Sequence, residues 1–213
     1  MQILGPLLPD NENGDLLKKW DFHYHPDAVE PWLFEQVYQE IFKTVFGQFL
    51  GSDVMTFLTA KTGVLADFYG SFDQVLLSET SLWFKGKKRD NLYKEIAEKT
   101  LEVKAQTWKS SNQFMLSNIL LGGKLPAWAK VDRGPIPLKG GRATPHQGQI
   151  YRSGERVTSF MPAIRMLTDL GEDSIQSCLL GGPSDFPLSK WYASDLDNWL
   201  NGQYKTIEPK IST

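Results

Sequence analysis

An α+β fold, helical in its N-terminal half and strand-bearing in its C-terminal half, is what this sequence predicts. Three observations carry that reading. Apolar residues between Asp27 and Leu50 recur at three- and four-residue spacing, the period of a helix. Residues 133–149 then hold four Gly and three Pro, which ends helical character. Beyond them the period falls to two over Ala163–Leu170. Helices first and strands later make an α+β layout. Residues 1–213 read as one unit, mainly helical over 14–120, with a Gly/Pro-rich loop, a β-hairpin and a C-terminal helix over 121–213.

Each element has its own signal. Residues 1–14 are an extended entry punctuated by Pro6, Pro9, Asn11, Asn13 and Gly14. The helix over 27–50 places Leu33, Phe34, Val37, Ile41, Phe42, Val45, Phe46 and Phe49 along a wide apolar stripe. Pro31 suits its first turn and Gly51 its end. Residues 53–79 read as shorter helices broken at Gly63 and Gly70. A surface helix over 90–108 is expected, capped by Asp90, with Leu92, Ile96, Thr100 and Val103 on one face and a Glu95–Lys99 pair. The basic run Lys85, Lys87, Lys88, Arg89 before it reads as a solvated connector rather than a phosphate grip. Residues 133–149 read as a long loop. Strands are expected over Ala163–Leu170 and Ser174–Leu180, joined at Gly171-Glu172-Asp173. A last helix presents Tyr192, Leu196, Trp199 and Leu200 and stops at Gly202. Lys205 to Glu208 form a final strand.

Composition excludes several function classes. A chain of 213 residues buries roughly 70–75% of its unfolded surface without staples. Lys plus Arg is 23 and Asp plus Glu is 25, a net charge of −2, so no field draws a nucleic acid. The one cysteine, Cys178, excludes an internal disulfide framework and a Cys-based zinc cage. A 41% hydrophobic content with 7 Trp and 12 Phe supports a folded core. No run of 18 apolar residues is present, so no membrane-spanning helix is expected. The start, Met1-Gln2-Ile3-Leu4-Gly5-Pro6, lacks a basic leader, so no signal peptide is expected there. No internal repeat is found.

A search for chemistry finds no assembled site. The G-x-S-x-G elbow, the phosphate-cradling G-x-x-x-x-G-K-[ST], G-x-G-x-x-G and H-E-x-x-H are all absent. Ser184 sits in Gly182-Pro-Ser-Asp-Phe186 instead. His23-Tyr24-His25 would put two imidazoles on one side of an extended segment, with no third ligand in view. They read as polar side chains beside a helix start. His146 reads as a loop histidine, because spacing supplies neither an orienting acid nor a nucleophile. Asp169 and Glu172 read as turn residues, and Asp195 and Asp197 as helix carboxylates. Cys178 reads as a small apolar filler on a buried strand.

Four blocks carry a resemblance. Leu16-Leu17-Lys-Lys-Trp20-Asp21 is the first, with Trp32-Leu33-Phe34-Glu35-Gln-Val-Tyr38 after it. Arg133-Gly134-Pro135-Ile-Pro137-Leu-Lys-Gly140-Gly141 follows. Last come Arg165-Met-Leu-Thr-Asp169-Leu-Gly and Leu179-Leu-Gly-Gly-Pro-Ser184-Asp-Phe-Pro187-Leu-Ser189-Lys-Trp-Tyr192, continuing through Trp199 and Gly202 to Tyr204. In order and approximate spacing they resemble the late β-chain of the penicillin acylase (penicillin amidase) family, over about residues 13–210. Three departures mark a divergent branch. The family's G-Q-S-G stands here as Gly182-Pro183-Ser184-Asp185, and its H-Y as Trp191-Tyr192. Asn112 and Asn118 stand where its W-G-x-x-H-x-x-x-x-x-H-P-L block has histidines.

The resemblance implies a partial piece of a four-layer αββα N-terminal-nucleophile (Ntn) hydrolase sandwich. In such enzymes a freed N-terminal Ser attacks an amide, its own amine serves as base, and an Asn with backbone N–H groups binds the oxyanion. Those groups and the family's calcium ligands lie upstream of the Trp20-Asp21 block. About nineteen residues precede Trp20 here, and none carries those motifs. The resemblance therefore assigns no catalytic, cofactor-binding or metal residue to this chain. The implied function is the C-terminal portion of an amidohydrolase, in a supporting role; the alternative is a non-catalytic binding or assembly module built on that fold. The implied partner is the missing N-terminal part of the enzyme, or a second copy. The wide apolar face of residues 33–49, together with few strands, motivates the expectation that the isolated chain exposes a large apolar patch and binds a complementary chain or itself. Localisation stays open, since the family is usually exported.

Overall fold

The extended entry expected over residues 1–14 is corrected, because Gly5–Leu7 form a 3₁₀ turn and a helix already begins at Glu12; Asn11 starts that first helix. Its backbone is extended and its side chain accepts the Gly14 N–H at 2.8 Å, which caps α1, Glu12–Lys18. The computed structural model describes residues 1–60, 68–141, 144 and 161–209. The predicted long helix is α2, Glu30–Ala60. Gly51 does end its first segment, at φ 74° and ψ 167°, but a second helical segment resumes at once. Gly63 lies outside the described residues. Gly70 lies within α3, Phe68–Leu77, and does not break it.

The surface helix is α4, Arg89–Thr100, preceded by a single 3₁₀ turn at Leu82–Phe84. It departs from expectation at both ends. Lys88 occupies the N-cap position, and Asp90 sits in the first turn against the Arg89 guanidinium at 2.8 Å. The helix stops at Thr100, so Val103 lies past its end and is exposed. Leu92, Ile96 and Ala97 are buried as its inner face, with Tyr93 beside them. Glu95 pairs with Lys87 at 3.0 Å rather than with Lys99.

These helices enclose the main core. Leu33, Val37, Val45 and Phe46 of α2 are fully buried, joined by Ile41 and Phe42. Phe72 packs edge-on against Phe46, with ring centroids 3.9 Å apart, and Phe42 lies 4.9 Å away. The apolar face over 33–46 is therefore covered by the chain itself, and only Phe49 at its end is half exposed. That face, which motivated the expectation of an exposed apolar patch, is largely the inside of this molecule.

The chain then runs through the short helix α5, Trp108–Ser111, into β1, Gln113–Leu116. β1 pairs antiparallel with β2, Arg133–Pro137, with Gln113 opposite Pro137 and Phe114 opposite Ile136. One expectation is corrected here. Residues 133–137, expected as part of a long loop, form strand β2, and the mainly helical stretch over 14–120 also holds the short strand β1. A two-stranded ribbon leaves each strand one free edge, which Pro135 and Pro137 tolerate because they have no N–H to pair.

A second sheet has the order β3-β4-β5, formed by Ile164–Thr168, Ile175–Leu179 and Lys205–Ile207, all antiparallel. The predicted hairpin and final strand are both present. Register places Arg165 opposite Cys178, and the buried face of the sheet carries both. α6, Leu196–Asn201, covers that face and ends at Gly202 with φ 67°. Trp199, Cys178, Leu138 and Met161 form a second, smaller core there. The other face carries Ile164, Met166, Ile175 and Ile207, all exposed, Met166 to 60%.

Candidate functional site

The first blocks and the Gly140-Gly141 block meet at one junction between the helical half and the strands. Trp20 is buried, and its ring lies 5.3 Å from that of Tyr24, edge to face. Tyr24 in turn sits 5.3 Å from Trp108, and its hydroxyl donates to buried Glu35 at 2.9 Å. Gly140 is clamped between them: its N–H donates to the Tyr24 carbonyl at 3.0 Å, and its carbonyl accepts the Trp108 indole N–H at 3.0 Å. A side chain on Gly141 would reach within 2.8 Å of the Tyr24 ring, so the second glycine lets the loop lie on the aromatic face. Trp108 and Lys109 donate backbone N–H groups to Ala28 and Pro26, at 2.8 and 2.7 Å.

Asn112 completes this seam. It is fully buried; its backbone carbonyl accepts the Leu138 N–H at 3.0 Å, and its side-chain amide donates to the Leu138 carbonyl at 3.2 Å. Both backbone groups of Leu138 are thereby satisfied inside the protein. Asn118, the second departure from the family pattern, accepts the N–H groups of Leu120 and Leu121 at 3.0 Å each. Its side chain also reaches the Asp185 carbonyl at 3.4 Å. Both asparagines serve backbone hydrogen bonding.

The C-terminal block builds a second clamp. The Arg165 guanidinium lies 3.8 Å from the centroid of the Trp199 ring and donates to the Trp199 carbonyl at 2.7 Å. Burial lowers its pKa from the ordinary arginine value. The Trp199 indole donates to the Pro162 carbonyl at 3.1 Å. Buried Asp195 is ion-paired with Lys205, which ties the start of α6 to β5. Tyr192 donates to the Val131 carbonyl at 2.7 Å, and Arg133 lies over its ring. Gly182 is forced by proximity, since a Cβ there would stand 1.9 Å from the Trp191 carbonyl oxygen.

The other residues singled out in the sequence are dispersed. His23 pairs with Asp21 at 3.1 Å, and His25 accepts the Asp27 N–H at 3.3 Å. Phe22, at φ 66°, turns the chain here, so the segment is not extended as expected. The N–H of His23 holds the Asp21 carboxyl below its ordinary pKa, and Lys109 does the same for Asp27. Among the described residues no group of three His, Cys, Asp or Glu side chains gathers as a metal site. His146 lies outside the described residues. Asp169 accepts the Gly171 N–H at 2.9 Å, as a turn residue does. Ser184 accepts the Phe186 N–H at 3.3 Å in the same way. Cys178 is buried, as expected of a filler. The basic run is tied down rather than merely solvated: Lys85 bonds the Gln48 carbonyl and Arg89 the Leu77 carbonyl.

Tyr24, Glu35 and the Asn112–Leu138 exchange were not singled out in the sequence as a site. Glu35 and Leu138 lie in the blocks and Asn112 is one of the departures, but Tyr24 lies in none; partners 11 to 84 positions apart are joined by tertiary structure alone. No helix among the described residues is long and apolar enough to cross a membrane. The family model described as penicillin amidase matches residues 2–209. No curated protein matches the sequence.

Proposed function

The chain belongs to the penicillin amidase family, and from that premise we propose that residues 1–213 form the C-terminal portion of a penicillin-acylase-type amidohydrolase, with a supporting role. In the complete enzyme an upstream N-terminal Ser would attack a linear amide, with its own amine as base and an Asn in the oxyanion hole. This chain would supply the scaffold on which that machinery rests.

One observation carries the reading. Among the family-like residues, Trp20, Trp108, Arg165 and Trp199 each donate a side-chain N–H to a backbone carbonyl, while Gly140 and Gly182 let segments lie close together. Such clamps fix a fold; they do not present a nucleophile to solvent. An exposed apolar sheet face beside them suits a piece that is covered by more polypeptide.

Activity assays test the proposal. The purified chain is expected not to hydrolyse phenylacetyl- or acyl-amide chromogens. Mixing or co-expression with a polypeptide that carries the Ser nucleophile and oxyanion Asn is expected to give turnover. Hydrolysis by the chain alone, surviving stringent purification, overturns the reading. An upstream gene region without any such reading frame supports the binding or assembly module instead.

A further inference from the structure

The connection between β1 and β2, residues 117–132, turns large apolar side chains to solvent. Ile119 is 94% exposed and Trp128 82%, and Leu120 and Leu125 are exposed beside them in the chain. A second irregular stretch, residues 183–192 between β4 and α6, adds Phe186 and Leu188, the latter 83% exposed. Two contacts tie the stretches together. The Asn118 side chain donates to the Asp185 carbonyl at 3.4 Å, and the Tyr192 hydroxyl donates to the Val131 carbonyl at 2.7 Å. Ile119 and Phe186 each follow a partner of the first contact, and half-exposed Trp191 precedes a partner of the second.

The turn that presents Ile119 and Leu120 is held by its own hydrogen bonds. Asp132 accepts the N–H groups of Asn118 and Gly123 at 3.1 and 2.8 Å, and the Asn118 side chain accepts those of Leu120 and Leu121. Gly122 and Lys124 donate their N–H groups to the carbonyls of Asn118 and Leu121. The Lys124 ammonium donates to the Leu120 carbonyl at 2.8 Å. Backbone paired in this way enters a water-poor layer without the cost of bare polar groups.

Charge selects the layer. Residues 117–133 and 183–192 carry Lys124, Lys130, Arg133 and Lys190 against Asp132 and Asp185, a net charge of +2 on a chain whose total is −2. Lys190 lies 4.8 Å from the centroid of the Trp191 ring. At a bilayer surface aliphatic side chains sink below the headgroups, indole rings sit at headgroup level and ammonium groups meet anionic lipid. Protein–protein interfaces are instead depleted in Lys.

We propose that this surface docks peripherally on an anionic phospholipid layer, with Ile119, Leu120, Phe186 and Leu188 entering it and Lys130 and Lys190 on its headgroups. The inference does not depend on the amidohydrolase reading.

Co-sedimentation of the full chain with lipid vesicles tests this. Vesicles of equimolar phosphatidylcholine and phosphatidylserine are expected to bind the chain about tenfold or more tightly than phosphatidylcholine alone. Ile119→Ser/Leu120→Ser alters only exposed side chains and keeps the hydrogen bonds of the turn. It is expected to weaken binding to the mixed vesicles about tenfold. Lys130→Glu/Lys190→Glu is expected to remove the preference for phosphatidylserine. Met166→Glu, on the exposed sheet face, is expected to leave vesicle binding unchanged. Equal binding to both vesicle types, binding unaffected by the serine pair, or an equal loss in Met166→Glu overturns the proposal. Absence of vesicle binding overturns it as well, and self-association that the serine pair abolishes then assigns the surface to a polypeptide.

Discussion

Trp199 shows how much one side chain decides. It supplies the ring beneath Arg165, a hydrogen bond to Pro162 and the centre of the smaller core. Trp199→Ala is expected to cost about 3–5 kcal/mol, read as a lower urea midpoint. Gly182→Ala must displace the Trp191 carbonyl and is expected to cost about 3 kcal/mol, although it adds only a methyl group. Titrating residues give two pH limits. Asp10, Asp21 and Asp27 have lowered pKa values, through Lys18, the His23 N–H and Lys109 respectively. Their folded values lie below the unfolded 3.8, so their contribution is present above that pH and is lost as pH falls through the folded values. Melting temperature is expected to drop on acidification below pH 3.8, less steeply in Asp27→Asn. Burial raises the Tyr93 pKa above its ordinary 10.0. Its contribution is present below pH 10.0 and is lost as pH rises toward the folded value. Tyr93→Phe is expected to flatten that alkaline loss and to cost about 1 kcal/mol for the bond to Leu76.

Among the elements, α2 is informative because its sequence signal and its structure agree up to one point. The apolar period over 33–46 predicts a buried helix, and the core confirms it. Gly51 predicts a stop, and its φ of 74° is a conformation that glycine adopts at no steric cost. No heavy atom lies within 4 Å of the place a Cβ would take. Gly51→Ala is therefore expected to cost about 1–3 kcal/mol through backbone conformation alone, because positive φ with extended ψ is open essentially only to glycine, measured by thermal unfolding. The β1–β2 ribbon is the opposite case. Four residues at 113–116 and a proline-bearing run at 133–137 are too short to show a period. Their pairing comes from the Asn112–Leu138 exchange that sets the two segments side by side.

At the scale of the whole molecule there are two cores of unequal size, and Trp20 and Tyr24 of the aromatic junction pack with the larger. The helical core is covered on its main face, whereas the three-stranded sheet is covered on one face by α6 and exposes Ile164, Met166, Ile175 and Ile207 on the other. Substituting Met166→Glu is expected to change stability by less than about 0.5 kcal/mol, since the side chain is already in solvent. The same substitution is expected to reduce binding of a hydrophobic dye and any concentration-dependent association seen by light scattering. Unchanged dye binding would place the reactive apolar surface elsewhere, for example at Trp128 or Leu188, both also exposed.

Local periodicity was enough to indicate the long helix α2 and the surface helix α4, the β3–β4 hairpin, the stop at Gly202 and the buried filler at Cys178. Each of those depends on neighbours within a few positions in the chain. The order of the motif blocks was enough to indicate the family. Tertiary structure alone decided that the face over 33–46 is an interior, that Asp90 is no cap and that Gly140 lies between Tyr24 and Trp108. The same holds for the apolar face left bare, which is on the sheet. Those outcomes are set by contacts between residues far apart in sequence, where burial of one face is fixed by whichever distant segment arrives to cover it.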